Sequence, residues 1–263
     1  MRDGERTAMG ETVSNNPADR QQVASAANTI RFPQVDPAGI VFYPRYFEMV
    51  ARSFPWLSLD RPPFGIETRF LKPNRLGDQL TLKVESGADC TDWSVSGVMS
   101  GDTYFSMCST RESFTADASI AGATFETAEF TIGDWCAGAN GRLQLSRSFE
   151  LLNVAIEEWF EESLGLEFHA LHVGRKVGIP TAQFRTSVRN LPKSGSAVTI
   201  RIRPTNIGNR SMRFTSWLVS GTEWQIRNEQ VIVFVRMLDD SYELMHIPDE
   251  IRQPFSRQLD DNR

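Results

Sequence analysis

Val35-Asp36-Pro37-Ala38-Gly39-Ile40-Val41-Phe42-Tyr43-Pro44-Arg45-Tyr46-Phe47 is the stretch from which the rest of the chain can be read. Pro37 pushes the residue before it toward extended backbone, so Asp36 closes a strand. Gly39 permits a tight turn or the close approach of a ligand. Pro44 suits the first turn of a helix, where its missing N–H costs nothing. Tyr43 then falls at or beside the N-cap, with its backbone N–H among the unpaired donors of the first turn. A carboxylate and the partly positive end of a helix are thus presented one loop apart. Such an end can polarise a carbonyl oxygen, while the carboxylate attacks the carbonyl carbon or activates water. The same spacing also suits an Asp36 that only caps its own turn.

Outward from this stretch, two halves show the same order of elements. The first reads as a strand at 29–35, a helix at 44–54 and strands at 65–71, 79–85, 92–99 and 103–114. The second reads as a strand at 129–135, a helix at 146–164 and strands at 181–188, 197–203, 211–219 and 223–237. The strands rest on β-branched and aromatic alternation, as in Val198-Thr199-Ile200-Arg201-Ile202. Landmarks recur in order. Arg45-Tyr46-Phe47-Glu48 matches Arg147-Ser148-Phe149-Glu150 at an offset of 102 residues, and Gly77-Asp78-Gln79-Leu80 matches Gly195-Ser196-Ala197-Val198 at 118. Met99-Ser100-Gly101-Asp102 matches Val219-Ser220-Gly221-Thr222 at 120, so the first half lacks 16 residues after its helix begins.

The second helix carries Phe149, Leu152, Ile156, Trp159 and Phe160 on one stripe and stops at Gly165, a length of roughly 28 Å. The first carries Phe47, Val50, Ala51 and Phe54 and is cut by Pro55 after about 16 Å. Each helix has one strand before it and four after. The economical reading is α+β: a long helix wrapped by a curved antiparallel five-stranded sheet, twice. The boundaries expected are a disordered leader at 1–28 (Met9 being a second candidate start), a first repeat at 29–120 and a second at 121–263.

Composition narrows the function. The chain has 263 residues, 40% hydrophobic and 23% charged, which is globular. A net charge of −5 argues against a broad nucleic-acid surface. No apolar run reaches the ~18 residues of a membrane helix. Cys90, Cys108 and Cys136 are odd in number and form no C-x-x-C, which suits a cytoplasmic protein better than a disulfide scaffold.

The run from Val35 to Phe47 resembles the signature of the 4-hydroxybenzoyl-CoA thioesterase family, which has the hotdog fold. Phe70-Leu71-x-Pro73-x-x-x-Gly77-Asp78 is similar to the family's second-strand pattern, and Ile247-Pro248-Asp249-Glu250-Ile251 to its ending. The resemblance covers residues 29–252, the second half more divergently. It implies a double hotdog, with the pair of subunits that normally shares a site reproduced inside one chain. It implies an acyl- or aryl-CoA thioesterase that needs no metal or redox cofactor. Asp36 would be the catalytic nucleophile or base, and the Tyr43 N–H would polarise the thioester carbonyl. Gly39, Ile40 and Val41 would line the substrate side of the loop. Acyl-CoA is the partner implied, with neither nucleic acid nor membrane, and further homo-oligomerisation is left open.

The chain also departs from that pattern. Gln34 stands where a second acid is frequent, and the offset of 102 sets Gly138 opposite Asp36 and Leu145 opposite Tyr43. One competent site per chain is expected, with repeat 2 supplying the far wall. Asn153 and the Val177-Gly178-Ile179-Pro180 segment are candidates for that wall, and ordinary packing explains them equally. Lys193, Arg201, Arg203, Arg210 and Arg213 are candidates for the phosphates of coenzyme A, or simply a solvated strand face. His169-x-x-His172 has ligand-like spacing without a third ligand. Two other readings remain. One is a non-catalytic acyl-CoA-binding protein. The other is an enoyl-CoA hydratase, which would need a His close to the acid, whereas residues 29–60 hold none.

Overall fold

A computed structural model describes residues 21–86, 92–111, 114, 118–238 and 241–260. Repeat 1 contains β1 (Gln21–Thr29), α1 (Pro44–Ser53), β2 (Phe64–Phe70), β3 (Gln79–Ser86), β4 (Trp93–Met99) and β5 (Asp102–Thr110). Repeat 2 contains β6 (Phe125–Glu126), β7 (Phe130–Thr131), α2 (Leu145–Leu164), β8 (Val177–Gly178), β9 (Thr181–Val188), β10 (Ala197–Ile207), β11 (Ser211–Ser220) and β12 (Glu223–Val233). It ends with β13 (Val235–Met237), β14 (Tyr242–Leu244) and α3 (Asp249–Asp260). One antiparallel sheet runs β1-β3-β4-β5-β2-β9-β12-β11-β10-β6, with β7 also on β10, and a small second sheet runs β14-β13-β8. The two repeats meet edge to edge at β2 and β9. The fold is a double hotdog, as the spacing of elements predicts.

The seam shows that the repeats are related by a local two-fold. Glu67 lies opposite Arg185, its own counterpart at the offset of 118, and Ile66↔Thr186 mirrors Thr68↔Phe184 about it. On the helices the counterparts Phe47 and Phe149 pack with ring centroids 4.2 Å apart and planes tilted by 32°. Phe149 in turn lies 5.2 Å from Phe184 of β9, and all three rings are buried. Each such ring contributes roughly 2–3 kcal/mol on burial. The Arg45–Glu150 ion pair that ties α1 to α2 at 2.7 Å is worth ~1 kcal/mol or less, so the rings dominate the seam.

Alternation sets the faces. Leu80, Leu82 and Val84 of β3, and Val198, Ile200 and Ile202 of β10, turn to the helices and are buried. Residues between them turn to the opposite face. There Trp217, Val219 and Trp224 form a satellite cluster with Phe114 and Ile120 of the segment joining the repeats. The Arg189 guanidinium stacks 4.3 Å from the Trp224 ring and donates to the Phe114 carbonyl at 2.7 Å.

Several sequence expectations need correction. The expected leader is not featureless throughout: residues 21–29 form β1, paired along β3 from Gln21↔Ser86 to Thr29↔Gln79. Residues 1–20 lie outside the described residues. No strand covers 29–35. Pro33 sits in a 3-10 turn, Phe32–Gln34, and only Val35 bridges, to Val41. The strand expected at 129–135 shrinks to β7 and gives way to the turn Asp134–Cys136. The long last strand breaks at buried Phe234, whose N–H turns to the Arg210 carbonyl, and β13 then leaves for the small sheet. Helix α3 was legible only as a motif ending at Ile251. It buries Ile251 and Phe255 against α2, and its Gln258 accepts a hydrogen bond from Trp159 Nε1 at 3.0 Å. Among the described residues no helix is long and apolar enough to cross a membrane.

Candidate active site

The loop between Val35 and α1 is a small closed hairpin. Asp36 N donates to the Ile40 carbonyl at 2.8 Å and Gly39 N to the Asp36 carbonyl at 2.9 Å, with Val41 bridged back to Val35. Gly39 has φ +75°, and a Cβ there would meet nothing within 4 Å, so glycine serves the backbone conformation here and not a close approach. The Asp36 side chain takes part: Oδ1 accepts from Ala38 N at 2.9 Å and Ile40 N at 3.2 Å. The capping reading is therefore correct, but it occupies only one oxygen. Oδ2 takes part in neither of these two bonds.

The half-buried Asp36 carboxyl is held above the usual carboxylate range. Burial is the main cause, partly offset by the Ile40 and Ala38 N–H groups, by the charge of His172 and by the Gly39 N–H. A carboxylate shifted this way is a stronger base. Tyr43 occupies the N-cap of α1 with Pro44 at N1. Among the described residues its backbone N–H finds no acceptor. Its phenol is tied away from the loop, donating to the Phe149 carbonyl of α2 at 3.2 Å, and its ring lies 4.9 Å from that of Phe184. Burial, then Glu157 and Glu150, push that phenol upward, so it stays neutral.

Charged groups of repeat 2 act on this loop: His172 on Asp36, and Glu157 and Glu150 on Tyr43. On α2, Asn153 donates to Glu157 Oε1 at 2.6 Å. The Glu157 carboxyl is raised by burial, and lowered in part by Asn153 and by the charge of His172. His172, half-buried on the turn Ala170–Gly174, is thus felt by carboxylates from both repeats. Tyr242 of β14 is shifted up by burial and by Asp36, against the pull of Arg75. The Arg75 guanidinium lies 5.7 Å from the Tyr242 ring, and its backbone is bridged to Ile40.

The expected substrate residues separate. Asp36, Gly39, Ile40 and Tyr43 share the loop that leads into α1, and Tyr43 reaches repeat 2 through the Phe149 carbonyl, whereas Asn153 is bonded to Glu157 along α2. Val41 does not line a surface: it is buried in the core, with its N–H on the Asn74 carbonyl. Gly178 is tightly packed, since a Cβ would meet Val235 Cγ2 at 2.9 Å. Arg210 is exposed in the turn between β10 and β11. Arg201, Arg203 and Arg213 project from the face of the sheet opposite the helices, because Ile200, Ile202, Met212 and Phe214 occupy the helix side. Arg201 there pairs with Glu126 at 3.0 Å. Arg203 and Arg213 line an open depression of about 370 Å³ with Arg227 and Glu229. These arginines are not part of the Asp36 site. Lys193, bridged to Arg142, is the counterpart of Arg75 in the other repeat. Among the described residues no three His, Cys, Asp or Glu side chains group to hold a metal.

The equivalent loop of repeat 2 keeps the scaffold and drops the acid. Gly138 N donates to the Arg142 carbonyl at 2.8 Å and Gly141 N to the Gly138 carbonyl at 2.9 Å, the pattern of Asp36, Ile40 and Gly39 repeated. No carboxylate occupies residues 136–145. Sequence reading passed over Glu157, Tyr242 and Arg75, and weighed His172 only for its metal-ligand spacing. The offset of 118 could have found Arg75 as the mate of Lys193, and helical spacing could have added Glu157 one turn after Asn153.

No protein-family model matches the sequence, and no curated protein matches it. Solved structures do. A 12:0-ACP thioesterase from Umbellularia californica superimposes with a TM-score of 0.60 at 9% identity, over 80% of this chain and 94% of that one. A putative oleoyl thioesterase from Lactobacillus plantarum gives 0.58 at 9% identity, over 80% and 95%. An acyl-ACP thioesterase from Bacteroides thetaiotaomicron gives 0.54 at 7% identity, over 80% and 97%. A match over 80% of the chain spans both repeats, so these similarities establish the hotdog fold for the whole.

Proposed function

We propose that the protein hydrolyses acyl- or aryl-CoA thioesters to a carboxylate and free coenzyme A, in the manner of the 4-hydroxybenzoyl-CoA thioesterases, at one site per chain. One observation carries this reading. A carboxyl raised by burial lies on the loop that leads into α1, and the Tyr43 N–H at the start of that helix has no acceptor among the described residues. In this reading Asp36 takes a proton from water as the water oxygen bonds the thioester carbon. The carbonyl electron pair moves to oxygen, where the Tyr43 N–H and the helix end receive it. The thiolate then departs. The names of the similar structures support thioester chemistry, two of them on acyl carrier protein. CoA and carrier-protein substrates share the pantetheine thioester, so the same centre suits either.

A thiol-release assay over aryl-, short- and long-chain acyl-CoAs, with acyl-pantetheine thioesters beside them, tests the proposal. Release from at least one class is expected. Binding without release across the panel would favour the non-catalytic reading. The hydratase reading stays in the test because the charge of His172, from repeat 2, acts on Asp36, although residues 29–60 hold no histidine. Hydration of an enoyl-CoA without thiol release would favour it.

A further inference from the structure

We infer that the Thr68 hydroxyl selects the acyl part of the substrate, favouring an acyl group that carries a hydroxyl or keto oxygen over a plain hydrocarbon one. This rests on the thioesterase reading above and names the substrate class of that site. Thr68 lies on β2, on the face turned to the helices, and is 1% exposed. Among the described residues its Oγ1 has no hydrogen-bond partner. A buried hydroxyl left that way costs free energy that a valine of the same shape would not. Thr68 is two residues from Phe70 on the same face, and its partner across the seam is Phe184 of β9. The Tyr43 ring lies 6.3 Å from the Phe70 ring and 4.9 Å from the Phe184 ring, and those two are 5.8 Å apart. The hydroxyl is therefore set among the rings that pack on Tyr43, the residue whose N–H is the proposed oxyanion donor.

Repeat 2 shows the same position closed. At the offset of 118 the mate of Thr68 is Thr186, equally buried at 1%. On the side away from the seam, Thr186 pairs with Asn228 of β12 and Thr68 with Met107 of β5. Thr186 Oγ1 donates to Asn228 Oδ1 at 2.7 Å. Asn228 Nδ2 donates on to Gln230 Oε1 at 3.4 Å, and Gln230 Nε2 to Thr181 Oγ1 at 2.8 Å. Met107 offers only a thioether sulfur, a weak acceptor that replaces none of this. The local two-fold that exchanges Thr68 with Thr186 also exchanges Phe70 and Phe184 with Val188 and Ile66, and Tyr43 with Leu145. The tied hydroxyl thus belongs to the half without the acid, and the hydroxyl with no partner to the half that has it.

The surroundings set the chemistry of the ligand. Ile66, Phe70, Met107 and Phe184 around Thr68 are apolar, so the hydrocarbon of an acyl group is accepted there and a charged group is not. A threonine hydroxyl both donates and accepts. It can donate to a keto oxygen, or accept from a hydroxyl, on the body of the acyl group. With a plain hydrocarbon it stays buried and unpaired in the complex. A site built to hydrogen-bond an oxygen rejects the analogue lacking it for that reason.

Pantetheine thioesters made in pairs that differ by a single oxygen test this on the full chain. The pairs are straight-chain acyl esters with and without a hydroxyl or keto oxygen at successive carbons, and benzoyl esters with and without a ring hydroxyl. The parent should prefer at least one oxygenated ester over its partner by about 10- to 100-fold in kcat/KM. Thr68→Val should bring that ratio to within a few-fold of one, and Thr68→Ser, which keeps the hydroxyl, should retain most of it. Thr186→Val should keep the ratio. Melting separates the two threonines independently of turnover. Thr68→Val should melt no lower than the parent, whereas Thr186→Val, which strips Asn228 of its donor, should melt lower. A parent that hydrolyses the thioesters without preferring any oxygenated member, or a preference that survives Thr68→Val, would overturn the inference and leave the thioesterase reading standing. So would a clear loss of Tm in Thr68→Val, which would mean that the hydroxyl has a partner within the protein. A parent inert toward every thioester would overturn the thioesterase reading itself, and this inference with it.

Discussion

Asp36 closes its own turn, and in the proposed reading it also activates water; the choice of substitution separates the two. Oδ1 closes the hairpin through Ala38 and Ile40, and each bond to a charged acceptor is worth about 1.5–3 kcal/mol. Asn keeps an acceptor there and removes only the anion. Asp36→Asn should therefore lower turnover about 10²–10⁴-fold while substrate binding changes little. Tyr43→Phe should cost far less, because the proposed oxyanion donor is main-chain. Steady-state kinetics on one good substrate reads both, and equal damage from the two changes would mean the phenol takes part. The raised carboxyl makes a second prediction, and its sign is opposite to that of a salt-bridged acid. A folded pKa above the unfolded one means that the folded state binds more protons between the two values, so Asp36 costs stability as pH rises. Asp36→Asn should melt no lower than the parent at neutral pH. The difference in Tm should shrink as pH falls below the ordinary carboxylate range, where Asp36 is protonated whether folded or not. Melting curves across pH that show a clear loss for the variant at neutral pH would contradict a burial-raised acid.

Among the elements, those that bury a patterned face were legible and those held by backbone pairing or distant partners were not. β9 falls where alternation puts it, at 181–188, and α2 stops at Gly165, which adopts φ +68° with its N–H on the Glu161 and Phe160 carbonyls. β1 escaped because an edge strand on β3 needs only its backbone: Gln21–Thr29 contains no large apolar side chain beyond Val23, and Ala24 and Ala26 are what it lays on the core. α3 escaped because Pro254 interrupts an otherwise regular Ile251, Phe255, Leu259 stripe. In the site, Asp36 and Tyr43 were legible because one loop holds both. Glu157, His172 and Tyr242 were not, since each lies more than a hundred residues from the acid and meets it only through the fold. The loop of repeat 2 puts that distinction to a test. A Cβ at Gly138 would meet Asn140 Oδ1 at 3.4 Å and Gln144 Cγ at 3.5 Å, which is ordinary or slightly tight contact. Gly138→Asp should fold with a Tm within a few degrees of the parent. In an Asp36→Asn background it should not restore turnover, because the positions matching Asn153 and Glu157 at the offset of 102 are Ala51 and Pro55. Recovery of activity in that double variant would show that the loop alone suffices.

The asymmetry of the whole molecule has one direction. Repeat 2 has the longer helix and the following segment that repeat 1 lacks, and these carry Asn153, Glu157 and His172. Repeat 1 has the shortened helix, and the loop it would have served, in repeat 2, holds Gly138 where the acid would be. Each loss thus falls on the same half-site: the wall missing from one repeat belongs to the acid missing from the other. The proposed reading is then one site across the seam, on a scaffold whose two-fold is still visible in the Glu67↔Arg185 pair and the Phe47–Phe149 contact. A symmetric pair of hotdog units would bind two ligands. This chain should bind one. Titration calorimetry with a non-hydrolysable acyl-CoA analogue should give a stoichiometry of one per chain. Asp36→Asn should leave that number unchanged, since it keeps the loop and the wall. Disruption of the wall by Asn153→Arg, which sets a bulky cation against Glu157, should abolish saturable binding without exposing a second site. Two equivalent sites per chain, or a single site indifferent to Asn153→Arg, would mean that the ligand is held somewhere other than the interface these residues build.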